Sequence, residues 1–142
     1  MSRILIISSQ IHTELATQQL EQCLRLTQSS THLIQVEKMA AGTYEIPFVI
    51  QAYQQKNKYD AYLALGLILQ KNPDHYETIM SHIKTCFTQF AMQNIIVGNG
   101  IITGKDPQDL AHKIHSDDPC LSAYPSAWHA INYLLKLQQN LG

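Results

Sequence analysis

The sequence predicts an α/β fold, a four-stranded parallel sheet with helices on both faces, and three observations carry that expectation. Short apolar runs at residues 3–9, 31–39, 61–69 and 94–102 alternate with stretches of helical period. Strands separated by helices imply parallel pairing through right-handed crossovers. The run AYLALGLIL at residues 61–69 holds no charge, as expected of a strand covered on both faces. Two helix starts repeat one device, a capping residue followed by proline, at Asn72-Pro73 and Asp106-Pro107.

The elements follow in order. Arg3 to Ser9 is a first strand. Thr13-Glu14 opens a helix with Leu15, Leu20, Cys23, Leu24 and Leu26 as its apolar positions, ending near Gln28. Thr31 to Met39 is a second strand, followed by a small-residue loop, Ala40-Ala41-Gly42-Thr43. Glu45-Ile46-Pro47 starts a second helix, for which Phe48, Val49, Ala52 and Tyr53 are the expected buried side. After the strand Ala61–Leu69, Asn72 caps a third helix, Pro73 takes its first position and Asp74 favours the positive end of the dipole. That helix runs to about Gln93 on Tyr76, Ile79, Ile83, Phe87 and Phe90. Asn94 to Ile102 is the fourth strand, with Gly98 and Gly100 marking a close approach or a bulge. Asp106-Pro107 opens a short helix through about His115, residues 116–122 read as loop, and Pro125 opens a last helix.

A chain of 142 residues is expected to form a single domain over 1–142. Ten basic residues against eleven acidic ones leave no basic footprint, which argues against a nucleic-acid partner. With 15% charged residues, the thin surface charge hints that other copies of the chain cover part of it. Cys23, Cys86 and Cys120 have no metal-like spacing and read as free thiols. Met1-Ser2-Arg3 turns apolar too briefly for a signal peptide, and no run is long enough to span a membrane, so a cytoplasmic protein is expected.

Chemistry is expected where strands end, since ligands of open α/β sheets bind at the carboxyl edge. His75 falls in the first turn of the third helix, where an imidazole of ordinary pKa about 6.5 can move protons near an anion-attracting terminus. Its plain alternative is a surface or capping residue. Glu45 follows a glycine-containing loop and can accept hydrogen bonds from ligand hydroxyls; its plain alternative is to stabilise a helix N-terminus. His112 and His115 lie at helical spacing without a third ligand and read as a solvated face, and Cys86 reads as core. No G-x-G-x-x-G, P-loop or G-x-S-x-G occurs.

Three segments in one order, RILIISSQIHTELATQQLEQCL, AGTYEIPFVIQA and KYDAYLALGLILQKNPDHYETI, resemble the lumazine synthase family. The most specific part is G-x-[FY]-E-[IL]-P followed by K-Y-D-x-x-x-x-L-G and a histidine-aromatic pair. The resemblance implies a flavodoxin-like three-layer sandwich assembled as pentamers or multiples of them, with each active site shared between neighbouring subunits. It implies condensation of 5-amino-6-(ribitylamino)uracil with 3,4-dihydroxy-2-butanone 4-phosphate, without metal or organic cofactor. By position, His75 matches the proton-shuttling histidine, and Thr43, Tyr44 and Glu45 match the segment that holds the ribityl chain. Ile11, His12, Leu67, Ile68 and Asn99 fall at substrate-contacting positions, Ile11 and Asn99 where the family usually has aromatic rings. The resemblance also sets the expectation that His75 and Glu45 share one cleft completed by a second copy.

The departures gather at the phosphate site. The family's G-x-T after the third strand becomes Lys71-Asn72-Pro73, and its phosphate-gripping arginine falls on His112, or on Lys113 in a register moved by one. Each charge-assisted hydrogen bond lost there is worth roughly 1.5–3 kcal/mol. The leading expectation is a synthase with a remodelled phosphate site using Lys71 and Lys113. The alternatives are a paralogue without synthase activity that acts as a binding or shell-forming protein, and a riboflavin synthase of the archaeal type.

Overall fold

Strands β1 (Arg3–Ser9), β2 (Leu33–Met39), β3 (Ala61–Leu69) and β4 (Val97–Gly104) form one parallel sheet in the order β2-β1-β3-β4. These come from a computed structural model that describes residues 1–142. The helices are α1 (Thr13–Thr27), α2 (Ile46–Lys56), α3 (Pro73–Met92), α4 (Pro107–Ile114), α5 (Pro119–Ser122) and α6 (Tyr124–Leu141). A 3-10 turn, Thr43–Glu45, leads into α2.

Side chains along a strand alternate between faces, and here both faces are covered. Ile4, Ile6, Ala61, Leu63 and Leu65 pack with Leu20 and Cys23 of α1 and with Ala127, Ile131 and Leu135 of α6. Toward the carboxyl edge of the same face, Leu67 and Ile102 meet Ala16 of α1 and Leu110 and Ile114 of α4. On the other face Leu5, Ile7, Tyr62 and Ala64 meet Ile46 and Ile50 of α2 and Phe90 of α3, and Ile68 meets Ile79 and Ile83. Both layers draw on the run 61–69, which is why it carries no polar residue. Burying each large apolar side chain contributes about 1.5–3 kcal/mol.

β1 and β3 have the predicted bounds; other elements differ, each for a physical reason. β2 starts at Leu33, because its pairing with β1 begins at Arg3↔Leu33. β4 covers Val97–Gly104 instead of 94–102. Asn94 takes φ 62 as α3 ends, and the Ile95 N–H returns to the Phe90 carbonyl at 2.9 Å, so Ile95 and Ile96 are apolar through burial before the strand begins. The register then runs unbroken from Tyr62↔Val97 to Leu69↔Gly104, so Gly98 serves a close approach and no bulge forms. A Cβ on Gly98 would stand 2.7 Å from Ile131 Cδ1 and 2.9 Å from the Ala127 carbonyl oxygen.

The buried stripe of α2 is Ile46 and Ile50, flanked by Val49 and Tyr53, while Phe48 is 77% exposed and Ala52 faces solvent. Positions 46 and 50 lie one turn apart and position 48 lies across the helix from both. Leu26 of α1 is likewise more exposed than expected, and the buried face there ends on Thr27. Within the expected loop 116–122, Asp118 accepts from the Cys120 N–H at 2.9 Å and caps the single turn of α5.

Candidate functional site

The chain leaves β1 toward β2 on one side and returns to β3 on the other, so the topology switches between β1 and β3. Crossovers diverge at such a point and leave a crevice beyond the strand ends. A cleft of about 320 Å³ lies there, lined by the loop after β1, by Gly42-Thr43, by the end of β3 and by the first turns of α3. Ile11, His12, Thr43, Leu67, Ile68, Lys71 and His75 all line it, so seven of the twelve expected site residues converge.

Each arrives by local structure. Asn72 ends the β3 loop in extended conformation, and its Oδ1 accepts from the Asp74 and His75 N–H groups at 3.1 and 3.2 Å. That cap fixes the start of α3 and leaves the His75 side chain exposed to solvent at the cleft. Thr43 is held from below: it is 4% exposed, and a Cβ on Gly66 would stand 2.6 Å from its Oγ1. Only glycine at 66 lets the turn sit this close to β3. Ile11 is 58% exposed, an apolar side chain presented to solvent at the mouth.

Tyr44 and Glu45 turn the other way. Both line a larger hollow of about 600 Å³ along the groove between α2 and α3, with Phe48, His82 and Cys86. Tyr44 stacks on His82 with centroids 3.9 Å apart and planes 19° from parallel. Glu45 Oε1 accepts from the Gly42 N–H at 3.2 Å. The carboxylate expected beside His75 thus supports the backbone that lines the His75 cleft, because the 3-10 turn rotates residue 45 away from residue 43. Cys86, expected in the core, is partly exposed at this hollow with Sγ 3.7 Å from His82 Nδ1, and partial burial pushes its thiol pKa up.

The remaining candidates lie apart from the cleft. Asn99, exposed on edge strand β4, folds onto its own backbone, its Oδ1 accepting from the Ile101 N–H at 3.0 Å. His112 is exposed on α4. Lys113 donates to the Thr103 carbonyl at 2.7 Å and pairs with Asp109 at 3.4 Å. The Asp109 carboxyl is held below its usual range, first by the Lys105 N–H at 3.0 Å and then by Lys113. His115 bridges α4 to α1 through Gln18 at 2.8 Å. Gly42 enters the sequence reading only as the glycine of the G-x-[FY]-E-[IL]-P motif, and His82 only as a histidine two turns from His75, a spacing that does not make a site by itself.

The residue pattern of the 6,7-dimethyl-8-ribityllumazine synthase family matches residues 1–136. The chain belongs to that family. A 6,7-dimethyl-8-ribityllumazine synthase of Azoarcus sp. (strain BH72) is 28% identical over 126 residues, 85% of this chain and 80% of that one. One of Verminephrobacter eiseniae (strain EF01-2) is 33% identical over 97 residues, covering 68% and 62%. One of Jannaschia sp. (strain CCS1) is 28% identical over 101 residues, 71% of this chain but only 56% of its own length. The match therefore spans less than two thirds of two of these relatives. As a lumazine synthase family member the chain has the expected four-stranded parallel sheet, with the cleft at its switch point. No helix is long and apolar enough to cross a membrane.

Proposed function

We propose that this chain is a 6,7-dimethyl-8-ribityllumazine synthase, a single-domain transferase of riboflavin biosynthesis acting in the cytoplasm without a cofactor. The observation that carries the reading is the meeting of His75, Thr43 and Lys71 in one cleft at the switch point of a family member. The substrates are 5-amino-6-(ribitylamino)uracil and 3,4-dihydroxy-2-butanone 4-phosphate. The uracil's amine attacks the ketone to form an imine with loss of water. Phosphate then leaves from the chain, and the ribityl-bearing nitrogen closes the ring with loss of a second water. Nothing is oxidised or reduced overall, so the protein's tasks are proton transfer and positioning, and positioning supplies much of such a rate.

In this reading the His75 imidazole takes and returns the migrating protons. The Gly42-Thr43 backbone, braced by Glu45, holds the ribityl chain, and Ile11, His12, Leu67 and Ile68 enclose the pyrimidine. Asn99 with His112 or Lys113 reaches the cleft from the adjacent protomer of a pentamer or a multiple of one. The test is to mix purified protein with both substrates and follow lumazine absorbance. A rate no greater than the spontaneous one overturns the proposal.

A second reading, a family member that binds the ribityl-pyrimidine without turnover, is favoured by the engagement of Asn99 and Lys113 with their own backbone. It predicts saturable binding of a ribityl-pyrimidine analogue and no lumazine, and turnover that disappears in His75→Ala disposes of it.

A further inference from the structure

His75 and His82 stand two turns apart on α3, so both rise from one face of the helix, about 10 Å apart along its axis. The 43–45 turn meets that face at both levels. Thr43 lines the cleft with His75, and Tyr44 stacks on His82.

The His82 ring is covered on both sides. Tyr44 lies over one face, with centroids 3.9 Å apart and planes 19° from parallel. Cys86 Sγ is 3.7 Å from Nδ1 and 3.8 Å from Nε2. Near-equal distances to nitrogens on either side of Cε1 put the sulfur over the ring, away from the in-plane direction that either N–H favours. Tyr44 already occupies one face, so the thiol backs the other in a sulfur–aromatic contact. His82 is therefore a flat plate held through its two faces, and neither nitrogen has an in-line partner.

The other supports of the turn run within it and down to β3. Glu45 Oε1 accepts from the Gly42 N–H at 3.2 Å, the Glu45 N–H goes to the Gly42 carbonyl at 3.1 Å, and Thr43 rests over Gly66. These contacts fix the shape of the turn and its height above the sheet. The stack sets its distance from α3, and with it the width of the cleft at His75.

We propose that His82 is a positioning residue for the ribityl chain of the substrate, acting through Tyr44 to hold the Gly42-Thr43 backbone at a fixed distance from His75; the identity of that ligand rests on the synthase reading. Hydroxyls laid along a fixed turn bring the pyrimidine to the imidazole. A turn free to move must be ordered at each binding event, which lowers affinity. The loss is about threefold to tenfold, the factor that one aromatic stack carries. It falls on the ribityl-bearing substrate, whose chain the turn holds.

The experiment is a calorimetric titration of the full-length protein with 6-(ribitylamino)uracil, which lacks the 5-amino group and so cannot form the imine. It is run where the native protein, His82→Ala and His82→Phe are all fully folded, so that global stability does not enter the result. His82→Ala should bind about threefold to tenfold more weakly, and His82→Phe, a flat ring without nitrogens, should bind as the native protein does. With both substrates supplied, the same factor should appear in the KM of His82→Ala for 5-amino-6-(ribitylamino)uracil rather than in kcat. A His82→Ala protein that binds the ribityl ligand as tightly as the native one overturns the proposal, as does a His82→Phe protein that binds no better than His82→Ala. A native protein that does not take up the ligand at all overturns the synthase reading, and the role of His82 with it.

Discussion

Thr43 lies over Gly66 so closely that a Cβ at 66 would meet Thr43 Oγ1 at 2.6 Å and Cγ2 at 3.0 Å. Gly66→Ala should therefore push the 43–45 turn off β3, at a cost of about 1–3 kcal/mol of overpacking. Thr43→Ala removes both offending atoms along with a buried hydroxyl that has no partner, and on its own should cost little. The double variant is expected to recover most of the loss. Urea unfolding of the four proteins measures this, and strictly additive effects would refute the contact.

His75→Ala should separate chemistry from stability. The side chain is exposed and makes no side-chain hydrogen bond, so unfolding free energy should change by less than about 0.5 kcal/mol. Lumazine formation should lose about tenfold or more in kcat, at or below the usual span of acid–base catalysis because the condensation also proceeds unaided. An unchanged kcat removes His75 from the proton path.

The Tyr44–His82 stack ties the turn to α3. His82→Ala should destabilise by about 0.5–1.5 kcal/mol, and His82→Phe should restore most of it, since the contact depends on a flat ring. Hydrogen exchange at residues 42–46 is the local readout and should quicken in His82→Ala alone. Equal exchange in all three proteins means that the ring does not brace the turn.

Stability should decline in alkali. Burial pushes the Cys23 thiol from 9.0 to about 12, and the hydrogen bond to Glu37, followed by partial burial, pushes Tyr53 from 10.0 to about 12. Burial also raises Tyr62 and Tyr124. All four keep their protons longer in the folded state, so their contribution is complete below about pH 9 and is lost as pH rises toward 12. Urea midpoints between pH 8 and 11 should fall, and less steeply in Cys23→Ala. A flat profile contradicts the burial.

The sequence was most legible where both faces of an element are demanded by the core. β3 could be bounded to the residue because a doubly covered strand leaves little room for polar side chains, and β1 because its apolar run Ile4–Ile7 passes into the small buried Ser8 and Ser9. β4 was harder: Ile95 and Ile96 are as apolar as a strand, and only the positive φ of Asn94 separates them from it. Phe48 misled because apolar character states a preference for burial, while helical phase decides which face receives it. His75 was readable from the rule about strand ends, whereas Leu67, Ile68 and Lys71 were expected at the cleft only through the family resemblance. The direction of Glu45 was not readable, since a 3-10 turn in place of the first turn of α2 swings a side chain away without altering composition. Asn99 and Lys113 depend on contacts to strand backbone that no local pattern announces.

Those last two contacts also shape how the sheet meets other chains. β4 is a border strand, and its alternate N–H and carbonyl groups face outward, a template for any extended segment that drifts past. Asn99 stoppers one of the outward groups and Lys113 another, so that margin is unattractive to stray polypeptide. The opposite margin, β2, has Leu33 and Val36 at 43% and 37% exposure. Unwanted sheet growth in a crowded or partly unfolded sample is thereby steered to β2, where a lysine at either position is the natural safeguard.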